Sequence, residues 1–364
     1  MKNLVSIAEQ FIREGTVISV EELGAGNINQ TFLVTIDGRL ERFVLQQINT
    51  QVFKQPELVM DNIRVFTNHA NHKIGDLSLD KGRCWQVPQI LLTSDKKHHY
   101  IDRDGNFWRA ISFIKNARSF DIIQNLEHAR EVGWGLGIFH TLISDLDVTK
   151  LADTLPGFHI TPQYFQQYQQ ALAKTNYEKT AEVNYCLRFI RERKDVIDVL
   201  ERAKEQNILQ LRPIHGDPKI NNITIDSSNN QAVAMVDLDT IKPGLIHYDI
   251  GDCLRSGCNI LGEETKDWES VKFDLKLAEN ILKGYLSIAC VFITQSELNY
   301  IYDSIRLIAL ELGIRFFTDY LNNNIYFKTS YPDHNLIRAL VQFKLTQSIE
   351  SQELTIKKII ARLS

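Results

Sequence analysis

No unbroken apolar run of about 18 residues occurs in this 364-residue chain, so the sequence offers no membrane-spanning helix. Excess charge is also missing. A net charge of −4 gives no general pull toward nucleic acid or an anionic membrane, so a phosphate-bearing ligand must be held by a local site. Cysteines are few: Cys84, Cys186, Cys253, Cys258 and Cys290. Their number is odd and no two stand at the spacing of a zinc knuckle or a redox pair, which leaves reduced core thiols as the expectation. The pattern GxxxxGK[ST] is absent, which excludes a P-loop nucleotide site. The opening residues, MKNLVSIAEQFIREG, form an amphipathic pattern with charges inside it and lack the apolar stretch of a signal peptide, so a cytoplasmic protein is expected. There is no internal repeat and no low-complexity segment.

The length exceeds that of the usual single core and suggests two lobes. Over residues 1–115 extended patterns dominate. EELGAGNINQTFLVTID places a Gly/Asn centre between two extended stretches, and RFVLQQIN follows as a further strand. QPELVMDNIRVFTNHANHKI has helical periodicity, and VPQILLT is followed by a hairpin turned at Asp104-Gly105. From 116 to 364 helical patterns take over, at 126–146, 161–174, 181–206, 269–290, 296–322 and 333–362. One β island interrupts them, NITIDSSNNQAVAMVDLD, in which SSNN joins two alternating strands. The expected fold class is α+β: a small β-rich N-terminal lobe and a larger helical C-terminal lobe with a hairpin in its floor, joined by a hinge near 115–120.

The chemistry gathers around that hairpin. Residues 214–226 read IHGDPKINNITID, with Asp217 and Asn222 five apart. The second hairpin strand delivers Asp237 at its end, so Asn222 and Asp237 should meet at the hairpin base. Two oxygen-bearing side chains there suit Mg²⁺, which takes one or two protein carboxylates and completes its shell with water and nucleotide phosphate. Asp217 faces the same space without being a ligand, where an acceptor for a substrate hydroxyl proton belongs. This is the spacing of a protein-kinase-type phosphotransferase, with Gly216 in place of the usual Arg and Asp237-Leu238-Asp239 in place of Asp-Phe-Gly. The plain alternative makes Asp217 and Asn222 turn residues and Asp237 a strand-end cap. Asp239 is open between a second metal ligand and a substrate contact. Gly24 and Gly26 in ELGAGNINQTF suit a backbone cover over ATP phosphates, although an ordinary hairpin turn has the same composition. Gln46 stands where a kinase strand carries its phosphate-binding Lys. Arg42 or Lys54 could substitute, or Gln46 could serve as a neutral donor, with Glu57 the nearest helix Glu.

HGDxxxxN followed by Ile/Val-Asp at the end of a hairpin resembles the aminoglycoside phosphotransferase and choline kinase family. GAGNINQTFLV, FVLQQINTQVFKQPELVMDNI, HGDPKINN, VDLDTIKPGLIHYDIGD and LELGIRFFTDYLNNNIYFK extend the resemblance to its N-acetylhexosamine 1-kinase branch, over most of the chain. The resemblance implies a protein-kinase-like bilobal fold and ATP- and Mg²⁺-dependent phosphorylation of the anomeric hydroxyl of N-acetylglucosamine or N-acetylgalactosamine. In those terms Asp217 is the catalytic base, Asn222 and Asp237 hold the metal, and Gly24, Gly26 and Gln46 bind nucleotide. His215 and Asp249 brace the catalytic loop, Asp249 from the YDxG segment, with a helix N-cap as its alternative role. Arg315 matches a substrate-binding Arg, its alternative being a salt bridge to Asp319 at i+4. Asn27, Asn29 and Arg255 are weaker substrate candidates, and a flat aromatic from Phe316, Phe317, Tyr320 or Tyr326 could face a sugar. No dense acidic cluster is present for a polycationic aminoglycoside. The competing readings are a kinase of the same fold acting on another small hydroxyl compound, and a non-catalytic nucleotide-binding protein.

Overall fold

The computed structural model describes residues 2–24, 28–37, 41–77, 79 and 82–364. The N-terminal part is an antiparallel sheet of β1 (Val17–Glu22), β2 (Gln30–Ile36), β3 (Glu41–Ile48), β4 (Ile90–Leu91), β5 (Tyr100–Ile101) and β6 (Phe107–Ser112). Its order is β1-β2-β3-β6-β4, with β5 also paired to β6. Alternation along the strands sorts the two faces. Phe32, Val34, Phe43, Leu45, Trp108 and Ala110 pack against Ile7, Ala8 and Phe11 from α1 (Lys2–Ala8) and the turn after it. Gln46 and Arg109, cross-strand partners, lie on the other face. There α2 (Pro56–Asp76) buries Val59, Met60, Ile63 and Phe66 in the main core.

The chain then passes through β7 (Ala117–Arg118), which pairs with the hairpin strand β9 (Ile223–Asp226), so the segment expected as a hinge is also sheet. The helical part begins with α3 (Leu126–Ile143), capped by the Asn125 side chain and buried almost throughout. It crosses α8 (Leu275–Ala289) through glycines: a Cβ on Gly133 or Gly284 would overlap the other helix's backbone. Around this pair lie α4 (Thr161–Lys174), α5 (Ala181–Arg191), α6 (Val199–Glu205), α7 (Ile246–Gly257), α9 (Gln295–Asn299), α10 (Ile301–Leu321), α11 (His334–Ser351) and α12 (Glu353–Leu363). The continuous periodicities at 181–206 and 333–362 break in the structure, the second at Gln352. None of the described helices is long and apolar enough to cross a membrane.

The ladder of β8 (Arg212–Ile214) with β11 (Lys242–Gly244) pins both ends of one excursion. Between them run the loop 215–222, the hairpin β9–β10 (β10, Ala232–Met235) and the turn 237–240. The three buried cysteines, Cys186, Cys253 and Cys258, are core thiols as expected; Cys84 and Cys290 are exposed instead, and all five are free.

Candidate active site

The loop between β8 and β9 is held from beneath by one carboxylate. Asp249, fully buried in the first turn of α7, accepts the backbone N–H of His215 at 2.7 Å and of Gly216 at 2.9 Å. His140 of α3 adds a third bond to it at 2.9 Å and takes the Tyr285 hydroxyl on its other nitrogen, at 3.0 Å. Asp249 is thus inside a helix rather than at its cap, and its lone pairs are spent on the loop. His215 donates Nε2–H to the Val236 carbonyl at 2.9 Å and accepts the Asp217 N–H on Nδ1 at 3.2 Å, which ties the loop to the end of the hairpin. Burial lowers the His215 pKa, consistent with this neutral tautomer.

A second support was invisible in the sequence. His159 reaches the Gly216 carbonyl with Nε2 at 2.8 Å and Glu311 of α10 with Nδ1 at 3.0 Å. Burial alone would lower its pKa, but the Glu311 carboxylate outweighs that and raises it. The imidazolium can then donate on both sides.

Asp217 stands above this platform with its side chain 28% exposed and Lys219 Nζ 3.0 Å from its carboxylate. Burial pushes the Asp217 carboxyl up, yet Lys219, His215 and His159 together hold it below its ordinary value. It is ionised at neutral pH. Asn222 donates Nδ2–H to the Asp217 carbonyl at 2.7 Å, and its Oδ1 has no donor among the described residues. The Val236 N–H bonds the Asn222 carbonyl at 2.9 Å, so Asn222 and Asp237 do meet at the hairpin base.

Asp237 adopts a left-handed backbone, φ 62°, exposes its side chain in the cleft and has no hydrogen bond or ion pair among the described residues. Surrounding protein, then the carboxylates of Asp239 and Asp217, push it up to about 7, and cleft water screens part of that effect. A crowded carboxylate without a partner among the described residues, at the hairpin base where Asn222 also lies, fits a hard cation. Among the described residues no group of three or more His, Cys, Asp or Glu could hold a metal.

Other expected residues have different partners. Asp239 is already paired within the protein: Arg109 binds one of its oxygens, and Asn29 donates to the other at 2.5 Å. Gln46 is engaged inside the sheet, with one of its two amide N–H groups used. Its Oε1 accepts from Arg109 Nε at 2.9 Å and Nη2 at 2.7 Å, and its Nε2 donates to Thr31 at 3.1 Å. Arg42, Lys54 and Glu57 are exposed and do not join this network. Arg255 is buried against Asp252 at 2.7 Å and Glu263 at 3.1 Å, which occupies its guanidinium and removes it as a ready substrate donor. Gly24 is a left-handed turn residue, φ +73°, at the end of β1. Gly26 and Asn27 lie outside the described residues.

Arg315 does not bridge to Asp319, whose carboxylate caps the N–H groups of Tyr326 and Phe327 at 2.8 and 2.9 Å. Its guanidinium instead sits 4.8 Å from the Tyr164 ring centre, 5.2 Å from Phe158 and 5.5 Å from Phe327. Arg315 makes no hydrogen bond or ion pair among the described residues, and it lies within electrostatic reach of Asp217. Phe316 and Phe317 are core, whereas Tyr326 is 64% exposed.

Lys219, Arg109, His159 and Glu311 are the site residues that sequence reasoning missed. Only Lys219, two positions from Asp217, carried a local signal.

Known structures share the fold that carries these residues. The aminoglycoside phosphotransferase of Alicyclobacillus acidocaldarius superposes with a TM-score of 0.60 at 16% identity, covering 97% of this chain and 96% of that one. The choline kinase of Cryptosporidium parvum gives 0.58 at 16% identity, covering 100% and 99%. A spectinomycin phosphotransferase in complex with ADP and spectinomycin gives 0.52 at 10% identity, covering 100% and 98%. These likenesses establish the α+β, protein-kinase-like fold. The model of the phosphotransferase enzyme family matches residues 19–269, more than half of the sequence, and the chain belongs to that family.

Proposed function

We propose that this phosphotransferase moves the γ-phosphoryl group of ATP to the anomeric 1-hydroxyl of an N-acetylhexosamine, N-acetylglucosamine or N-acetylgalactosamine. Asn222 and Asp237 would hold Mg²⁺, which supplies charge neutralisation on the phosphate oxygens. Asp217 orients the sugar hydroxyl and takes its proton late, because transfer is loose and most of the rate comes from alignment. Lys219 keeps Asp217 ionised, and Asp249 with His215 fixes the loop from which it projects.

The observation that carries the substrate class is Arg315. Three aromatic rings hold its guanidinium, and no acid forms an ion pair with it among the described residues. It offers N–H donors to sugar oxygens, and it fills with the protein's own cation the aromatic surroundings that a choline-like ammonium would need. A polycationic acceptor would be repelled at the same place. Tyr326, exposed and packed edge-on against Phe327 at 4.8 Å, can present a flat face to the sugar ring.

The test is ATP consumption with Mg²⁺ against N-acetylglucosamine, N-acetylgalactosamine, glucose, galactose, kanamycin and choline, followed by mild acid treatment of any product. The expected result is an acid-labile phosphate made from the N-acetyl sugars. Turnover confined to kanamycin or choline would overturn the substrate, and ATP binding without turnover on any acceptor would favour a non-catalytic nucleotide-binding protein.

A further inference from the structure

The strand position that holds a phosphate-binding lysine in many kinases is Gln46 here, and the charge it lacks lies one strand away. Arg109 on β6 is the direct cross-strand partner of Gln46 and is completely buried. A guanidinium has five N–H donors. Nε and Nη2 use three of them, two on Gln46 Oε1 and one on Asp239. The remaining two, on Nη1, have no acceptor among the described residues. A fully buried cation with two unmet donors is a costly arrangement unless something arrives to accept them.

The surroundings say what that acceptor is. Asp239 stands two residues beyond Asp237, and Asn29, which binds Asp239, lies just after the glycine-rich turn. Asn29 also accepts the Asn49 N–H at 2.9 Å, so Asn29, the end of β3 and the post-hairpin segment converge on one point. Arg109 lies close enough to Asp237 to act on its charge. Lys219 is engaged with Asp217. Gln46 in turn suits an arginine neighbour: its carbonyl oxygen faces the guanidinium, where a lysine would set two cations together.

We propose that Arg109 is the cation that receives the nucleotide's phosphates in this chain. Gln46 and Asp239 together take the place of the usual strand Lys–helix Glu pair. Arg109 supplies the charge, Asp239 anchors it, and Gln46 orients it through the bonds on one edge so that Nη1 stays free. The assignment rests on the nucleotide reading made above.

The test is calorimetric binding of ADP and of adenosine in EDTA, so that only protein groups meet the phosphates. Wild type should bind ADP about tenfold or more tighter than adenosine. Arg109→Met should remove that preference and leave adenosine affinity unchanged. The single substitution strands the buried Asp239 carboxylate and is liable to unfold, so R109M/D239N, which removes both charges, is the second variant and should behave alike. Wild type that binds neither ligand would sink the nucleotide reading and this proposal with it. ADP preference retained in a folded R109M or R109M/D239N protein would sink Arg109 alone. Equal losses of ADP and adenosine would also overturn it, by making Arg109 a merely structural support.

Discussion

Gly216 and Gly24 have the same left-handed backbone, φ +87° and +73°, and opposite surroundings. A Cβ on Gly216 would stand 2.6 Å from the Thr240 carbonyl oxygen, in a loop bonded on every side: Asp249 beneath, His159 on its carbonyl, and Thr240 Oγ1 on the His215 carbonyl at 2.7 Å. A Cβ on Gly24 would meet nothing within 4 Å among the described residues. One glycine is required by crowding as well as conformation, the other by conformation alone. The loop that carries the proposed proton acceptor is therefore over-determined, whereas the turn proposed to cover phosphate has space around it at Gly24. Alignment of the attacking group tolerates little displacement, while a backbone cover must let nucleotide in and out.

The largest effect that sharpens this contrast is Asp217→Asn. It should leave Tm within a few degrees and lower kcat by about 10²–10⁴-fold; wild-type-like turnover would remove Asp217 as proton acceptor. Gly216→Ala comes next. The clash with Thr240 should cost about 2 kcal/mol or more of stability and most of the activity, read by thermal unfolding and initial rates. An active, unshifted Gly216→Ala protein would break the claim that the loop is crowded.

The proposed metal site has its own expected pH signature. With the Asp237 carboxyl raised to about 7, Mg²⁺ must displace a proton in more acid solution, so apparent Mg²⁺ affinity should climb as pH rises toward 7 and flatten above it. Metal titrations from pH 5.5 to 8 check this, and a flat series would place the ligand elsewhere. Lys219→Met should let the Asp217 pKa rise, because the cation that lowers it is gone. The acid limb of kcat/KM then moves to higher pH, with about tenfold loss near pH 6 and less at pH 8. An unmoved limb would mean that Lys219 does not set the charge on Asp217. The smallest effect belongs to Gly24→Ala, a strain of about 1 kcal/mol confined to the turn, seen as a severalfold rise in KM for ATP and almost no change in Tm.

The contrast extends to what could be read from the chain. The Asp217–Asn222–Asp237 geometry was legible because a tight loop and one hairpin bring those residues together within 21 positions. The sheet was legible from alternation, which fixes the inward face of β2 and β3. Helix α7 was legible only in part: a helix after Asp249 was one reading, but IHYDIGDCLRSG carries Asp and Gly in its interior, which hid its start at Ile246. Gly251 is there because a Cβ would come within 2.7 Å of the Ser304 carbonyl on α10, a packing demand that propensity does not register. Arg109, 63 residues from Gln46, and His159, 152 residues from Glu311, become meaningful only when strands pair and helices dock.

The His159 bridge has a consequence for evolvability. One imidazole serves both the Gly216 carbonyl and Glu311, and Glu311 lies one turn before Arg315 on α10. Altering this face of α10 to admit a new acceptor would slacken the loop behind Asp217 at the same stroke. New specificities should therefore arise first in the segment after α10, where Ile325 and Tyr326 are exposed.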